Sequence, residues 1–142
     1  MSVKQLSIFA ENRNGSIYEI TKILADAGIA LRAFSIADTQ NYGVLRLIVS
    51  DIKAGYEALS NAGKIVNVTD VVGVEISDAN GGLCELLHVL AKDEISVEYL
   101  YAFVAPTAGK AFVVLRVADN DATEKILSAA GFTLLTDADL KL

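Results

Sequence analysis

The sequence predicts an α+β protein made of two ferredoxin-like βαββαβ units in tandem, each an antiparallel sheet with its helices on one face. Three observations lead there. The chain of 142 residues repeats itself: at an offset of 66, Asn14-Gly15, Glu19, Leu24-Ala25 and Ile29 recur as Asn80-Gly81, Glu85, Leu90-Ala91 and Ile95. After a two-residue insertion the offset is 68, and Leu47, Val49, Asp51, Ala54, Leu59-Ser60 and Ala62-Gly63 recur as Leu115, Val117, Asp119, Ala122, Leu127-Ser128 and Ala130-Gly131. Each copy also alternates strand and helix periodicities in one order. Finally, no Pro/Gly/Ser linker separates the copies, since Val68-Thr69-Asp70-Val71-Val72-Gly73 passes from one expected strand straight into the next. The domains are placed at residues 1–70 and 71–142.

In the first copy Val3 to Ala10 reads as a strand. Ile17, Ile20, Leu24 and Ala27 then form a helical stripe that Gly28 ends. Ile29 to Ala37 and Gly43 to Ser50 are expected strands around the polar turn Asp38 to Tyr42. A helix from Ile52 to Ala62 and a strand from Lys64 to Asp70 complete the unit. The second copy repeats the order with Val71 to Ser77, a helix from Leu83 to Lys92, Ile95 to Val104, Ala111 to Ala118, a helix from Ala122 to Ala130, and Phe132 to Thr136. Right-handed crossovers then give four-stranded sheets.

Composition excludes several classes. Acidic residues outnumber basic ones, 18 to 12, and no stretch concentrates Lys and Arg, which argues against nucleic acid as a partner. No apolar run approaches the roughly 18 residues of a membrane span, and Met1 to Ile8 lacks the apolar core of a signal peptide, so a soluble cytoplasmic protein is expected. A lone Cys84 cannot form an internal disulfide. Units of about 70 residues bury only about 60% of their unfolded surface. With 53% hydrophobic residues, further burial between halves and in a homodimer is expected.

Chemistry, if present, concentrates where the first strand of each copy turns into its first helix. Glu11-Asn12-Arg13-Asn14-Gly15-Ser16-Ile17 offers Ser16 and Glu19 in the spacing of a capping box. Its counterpart Asp78-Ala79-Asn80-Gly81-Gly82-Leu83 has Gly82 in place of the capping serine, which would leave more N–H groups for a small carboxylate. The same residues also read as ordinary turns in which Gly15 and Gly81 supply positive φ.

The succession of a strand, Asn14-Gly15-x-Ile17, a helix ending at Ala25-Asp26-Ala27-Gly28-Ile29 and an extended run resembles the ACT domain, and the second copy resembles another. Leu31-Arg32-Ala33-Phe34-Ser35-Ile36-Ala37-Asp38-Thr39 followed by Leu45-Arg46-Leu47-Ile48-Val49 is most similar to small stand-alone tandem ACT proteins. Asn14 and Asn80 stand where the family usually has Pro, and Glu94 replaces the helix-ending glycine of the second copy. The resemblance implies a non-catalytic regulatory module whose free amino acid effector is clamped between one domain's turn and the other's second strand. The matching positions are Asn12, Asn14, Gly15, Ser16 and Ile17 with Asn80, Gly81, Gly82 and Leu83, and the facing strands contribute Ser35, Ile36, Asp38, Tyr99 and Tyr101. The two tyrosines could wall a side-chain pocket or serve as core or dimer-interface aromatics. The alternative implied role is a module that docks onto a separate metabolic enzyme without a ligand.

Cys84 and His88 lie one helical turn apart, yet with no other Cys or His they make neither a metal site nor an evident nucleophile and base, and no cofactor is expected. Arg46 and Arg116 fall in expected third strands and should pair across the sheet surface. A small enzyme acting through Cys84 ranks behind both binding roles.

Overall fold

A computed structural model of the chain describes residues 2–38 and 41–140, so Thr39 and Gln40 of the expected polar turn lie outside the described residues. The chain divides into two compact units, Lys4–Thr69 and Asp70–Asp139, with Val3 belonging to the second. Its elements run β1 (Val3–Glu11), α1 (Ser16–Asp26), β2 (Leu31–Asp38), β3 (Tyr42–Val49), α2 (Ile52–Asn61), β4 (Val66–Ser77), α3 (Gly82–Lys92), β5 (Tyr99–Val104), β6 (Lys110–Arg116), α4 (Asn120–Ala129) and β7 (Thr133–Leu134).

In the first unit the strand order is β2-β3-β1-β4. Leu6 and Ile8 of β1 stand opposite Leu47 and Leu45 of β3, which in turn face Phe34 and Ile36 of β2. This register puts Leu6, Ile8, Leu45 and Leu47 on the face that meets Ile20 and Leu24 of α1 and Leu59 of α2. All seven are essentially inaccessible, and burying each such side chain contributes about 1.5–3 kcal/mol. The second unit has the order β7-β4-β6-β5. Its core sets Val72, Val74, Ile76, Val113 and Leu115 against Leu86, Leu90 and Leu127.

The duplication extends to the helix ends. Asp51 and Asp119 cap α2 and α4, their carboxylates accepting from the amides of Ala54 and Ala122 at 3.1 and 3.0 Å. After α1, Gly28 takes φ 73° and its amide donates to the Ala25 carbonyl while Ile29 N donates to Leu24 O, the left-handed stop that glycine adopts without steric cost. Glu94 makes the same stop after α3 at φ 59°, with matching bonds from Glu94 N to Ala91 O and from Ile95 N to Leu90 O. It is the one non-glycine residue with positive φ among those described.

Three elements differ from the sequence expectation. The strands expected at Lys64 to Asp70 and Val71 to Ser77 form one twelve-residue strand, β4, because nothing between them removes a ladder donor or requires positive φ. β5 begins at Tyr99 rather than Ile95: Ile95 and Val97 still pack against the core, but the pairing with β6 starts only where Glu98 N reaches Arg116 O and Tyr99 faces Arg116. β7 is only two residues, after which Thr136 and Asp139 close a short 3-10 turn through Thr136 N and Asp139 Oδ2 at 2.8 Å. As expected for a sheet-surface residue, Arg116 reaches the Asp70 carbonyl and Glu98.

Candidate functional site

β1 carries the chain to Glu11, and Asn12 to Gly15 turn it into α1. Gly15 sits at the N-cap with φ 83°, and the Ser16 amide donates to the Arg13 carbonyl. The capping box expected from Ser16 and Glu19 does not form. Ser16 occupies the first helical position rather than the cap and is only 4% exposed, while no side chain caps the helix. Glu19 is engaged elsewhere. It binds Arg13 Nη2 through Oε2 at 2.8 Å and Lys64 Nζ through Oε1 at 2.9 Å, and Arg13 Nε holds Glu11 Oε2 at 3.0 Å. Lys64 and then Arg13 hold the Glu19 carboxyl below the usual glutamate range, and Glu19 and Glu11 raise the Arg13 guanidinium further. Four alternating charges thus line the turn, drawn from β1's end, the turn itself, α1 and the approach to β4. Adjacency of β1 and β4, seen in Phe9 N donating to Ile65 O, delivers Lys64 to that place.

Two cavities flank this network. One, of about 210 Å³, lies between the turn and the far end of β2, with Glu11, Asn12, Arg13, Ser16, Ile17 and Ile36 in its wall. The other, of about 140 Å³, lies toward Lys64 and shares Glu11, Arg13 and Ser16. A third, of about 170 Å³, lies between α1 and β2, shares Ile17 and Ile36 with the first, and has a wholly apolar lining surface.

Of the residues proposed from the sequence, Asn12, Ser16, Ile17 and Ile36 therefore meet at one cavity. Asn14 and Gly15 are exposed and shape the turn without lining that cavity. Ser35 is half-buried and lies on the opposite face of β2, beside Arg46 in the ladder. Asp38 ends β2 opposite Gly43, and its side chain is outside what is described. Glu11, Arg13 and Lys64 are not among the site residues expected from the sequence. The signal available for them is the repeat itself, because the aligned positions of the second copy are Ser77, Ala79 and Phe132.

The second copy's turn is built differently. Asn80 and Gly81 are exposed, Gly81 has φ 90°, and Leu83 is partly exposed at 39%. Gly82 is buried, and a Cβ there would run into the Ser77 carbonyl. Lack of a side-chain cap does not distinguish the two helices, since α1 and α3 both start on an uncapped left-handed glycine. What distinguishes them is a backbone oxygen seated at the start of α3. Tyr99 and Tyr101 alternate with Leu100, which packs on the core, so they occupy the face of β5 away from α3 and α4. Tyr101 is 8% exposed and stands opposite fully buried Val114. Cys84 and His88 are exposed, and among the described residues no three His, Cys, Asp or Glu side chains are grouped to hold a metal ion. Also among those residues, no helix is long and apolar enough to cross a membrane.

Comparison with known proteins adds the following. The sequence model described as an ACT domain pair matches residues 1–142. The crystal structure of protein BT0572 from Bacteroides thetaiotaomicron is 38% identical, covers 99% of this chain and 96% of its own, and superposes with a TM-score of 0.92. The ligand-free regulatory subunit of aspartate kinase from Thermus thermophilus superposes with a TM-score of 0.65 at 15% identity, over 90% of this chain and 91% of its own. Its counterpart from Thermus flavus gives 0.61 at 16%, over 89% and 91%. These last two likenesses are of fold. No curated protein sequence matches the chain.

Proposed function

The chain belongs to the ACT domain pair family over its whole length, and from that footing we propose that it is a regulatory sensor binding a free amino acid at the first copy's turn, without catalysing a reaction on it. ACT domains are regulatory modules that bind amino acids, and the observation that carries the reading to this site is the charge pair in the wall of the larger cavity. Arg13 and Glu11 lie side by side there. A zwitterion requires one cation for its α-carboxylate and one anion for its α-ammonium, and bonds to charged groups are the stronger class. When a ligand carboxylate draws Arg13 away, Glu19 keeps Lys64, so no carboxylate is stranded. Asn12, in the same wall, supplies an amide that can both donate and accept. The ligand shifts the protein's conformation or assembly only by its difference in affinity between states.

Isothermal titration of the full chain with each common amino acid tests this. Saturable heat with at least one is expected. Arg13→Gln should weaken that binding by about tenfold, the lower end of what loss of a charge-assisted bond costs, because Arg13 is half exposed. Absence of binding by all of them would sink the sensor.

A further inference from the structure

We propose that the effector is an α-amino acid with a long apolar side chain, aliphatic or aromatic, which runs from the charged turn into the groove between α1 and β2, and that one molecule binds per chain. This rests on the sensor reading above and goes on to name the ligand class.

The cavity walled by Arg13 and Glu11 and the apolar cavity along β2 share Ile17 and Ile36, so a ligand whose head meets the charges has those two side chains beside it. Beyond them the groove offers Leu31, Phe34 and the edges of Leu45 and Leu47, with no polar lining surface. Only Thr21 interrupts the hydrocarbon character of the residue set. The fold leaves large apolar groups uncovered at this place: Phe34 is 66% and Ile36 49% exposed, although both lie on the face of β2 that meets the core, opposite fully buried Leu47 and Leu45. β2 is the last strand of its unit's sheet, so no further strand flanks them. An apolar cavity of roughly 150 Å³ accommodates a benzene-sized group. The groove, at about 170 Å³, therefore suits side chains from leucine to phenylalanine. Each methylene buried there is worth about fourfold in affinity. The three further carbons of leucine over alanine should amount to about 50-fold if fully buried.

The second copy differs at each component. Ser77, Ala79 and Phe132 replace Glu11, Arg13 and Lys64, Leu100 and Ala102 replace Phe34 and Ile36, and the Ser77 carbonyl abuts Gly82. A carbonyl oxygen at that point repels the carboxylate the first turn attracts. Hence the stoichiometry of one.

The test is titration of the full chain with leucine, phenylalanine and methionine against alanine, serine, glutamate and lysine. The apolar three should bind at least tenfold tighter than alanine, at one per chain. Phe34→Ser, at a residue that lines the groove and not the cavity at the turn, should bring leucine down toward the affinity of alanine, and Ile36→Asp, which alters the wall both cavities share, should weaken leucine at least as much. Val104→Asp, on the exposed edge of β5, should change neither. Both groove residues are largely exposed, and unchanged circular dichroism would show that the variants fold. Polar or small amino acids binding as tightly as leucine, or two molecules per chain, would overturn the proposal and leave the sensor standing. No binding by any amino acid would end both. If Phe34→Ser altered the size of the protein in solution without altering selectivity, the groove would be a contact between chains, and the proposal would fall.

Discussion

Replacing Glu94 by glycine should stabilise the protein, although it removes a side chain and adds no contact. Glu94 ends α3 at φ 59°, the position that Gly28 fills after α1 at φ 73° with the same pair of closing hydrogen bonds. A residue with a Cβ pays about 1–2 kcal/mol to sit in the left-handed region. Glycine avoids that cost but makes the unfolded chain more flexible, which returns about 0.4–1 kcal/mol to the unfolded state. The net gain is about 0.5–1 kcal/mol, or about 2–4 °C in thermal midpoint for a chain of this size. The mirror substitution Gly28→Ala should cost about the same amount. An added Cβ at Gly28 meets nothing within 4 Å, so only the backbone would be strained. Thermal melts of both single variants and the double variant, followed by circular dichroism, measure all three values. A Glu94→Gly midpoint equal to or below that of the parent, together with a harmless Gly28→Ala, would show that the left-handed stop is not what fixes these helix ends.

Two further outcomes follow from the turn and its charges. Gly82→Ala should destabilise by about 2 kcal/mol or more, because its Cβ would meet the Ser77 carbonyl backbone, although the same change at an unobstructed helical position gains about 1 kcal/mol; denaturant melts showing no loss would refute the close approach. Glu19→Gln should lower the midpoint at pH 7 and make no difference in acid. The Glu19 carboxyl is held below its ordinary range by Lys64 and Arg13, so its contribution is present above the unfolded value of about 4.3 and is lost as pH falls through the folded one. A midpoint difference between parent and variant that persisted unchanged at low pH would refute that assignment, and added salt should shrink it at neutral pH because Arg13 and Glu19 are about half exposed.

Much of the fold is legible in local spacing. Ile17, Ile20 and Leu24 recur at helical intervals, Leu6 and Ile8 alternate as a strand requires, and Asp51 and Asp119 stand three residues before the amides they cap. Boundaries are less legible where the deciding partner is distant. Ile95 and Val97 look like strand residues, yet they lie before the start of the β6 pairing and only pack on the core. Asn12, Ser16, Ile17 and Ile36 could be nominated as neighbours of a turn and a strand, and they do share a cavity. Ser35 could be nominated only with them, because a strand's alternation sends it to the other face.

By itself the sequence determined the duplication, the order of elements and the family, because periodicity and turn chemistry act between residues close along the chain. Tertiary structure alone decided that Lys64 reaches Glu19 and that Glu19 serves Arg13 instead of a capping box, since strand β4 must first lie beside β1. It alone decided what Gly82 means. In the sequence Gly82 is a missing cap, whereas in the fold it is the only residue small enough to admit the Ser77 carbonyl. Copies alike in secondary structure thus carry different turns, one walled by a guanidinium and a carboxylate and the other stopped by a backbone oxygen, because side-chain charge and close approach depend on residues that only folding brings together.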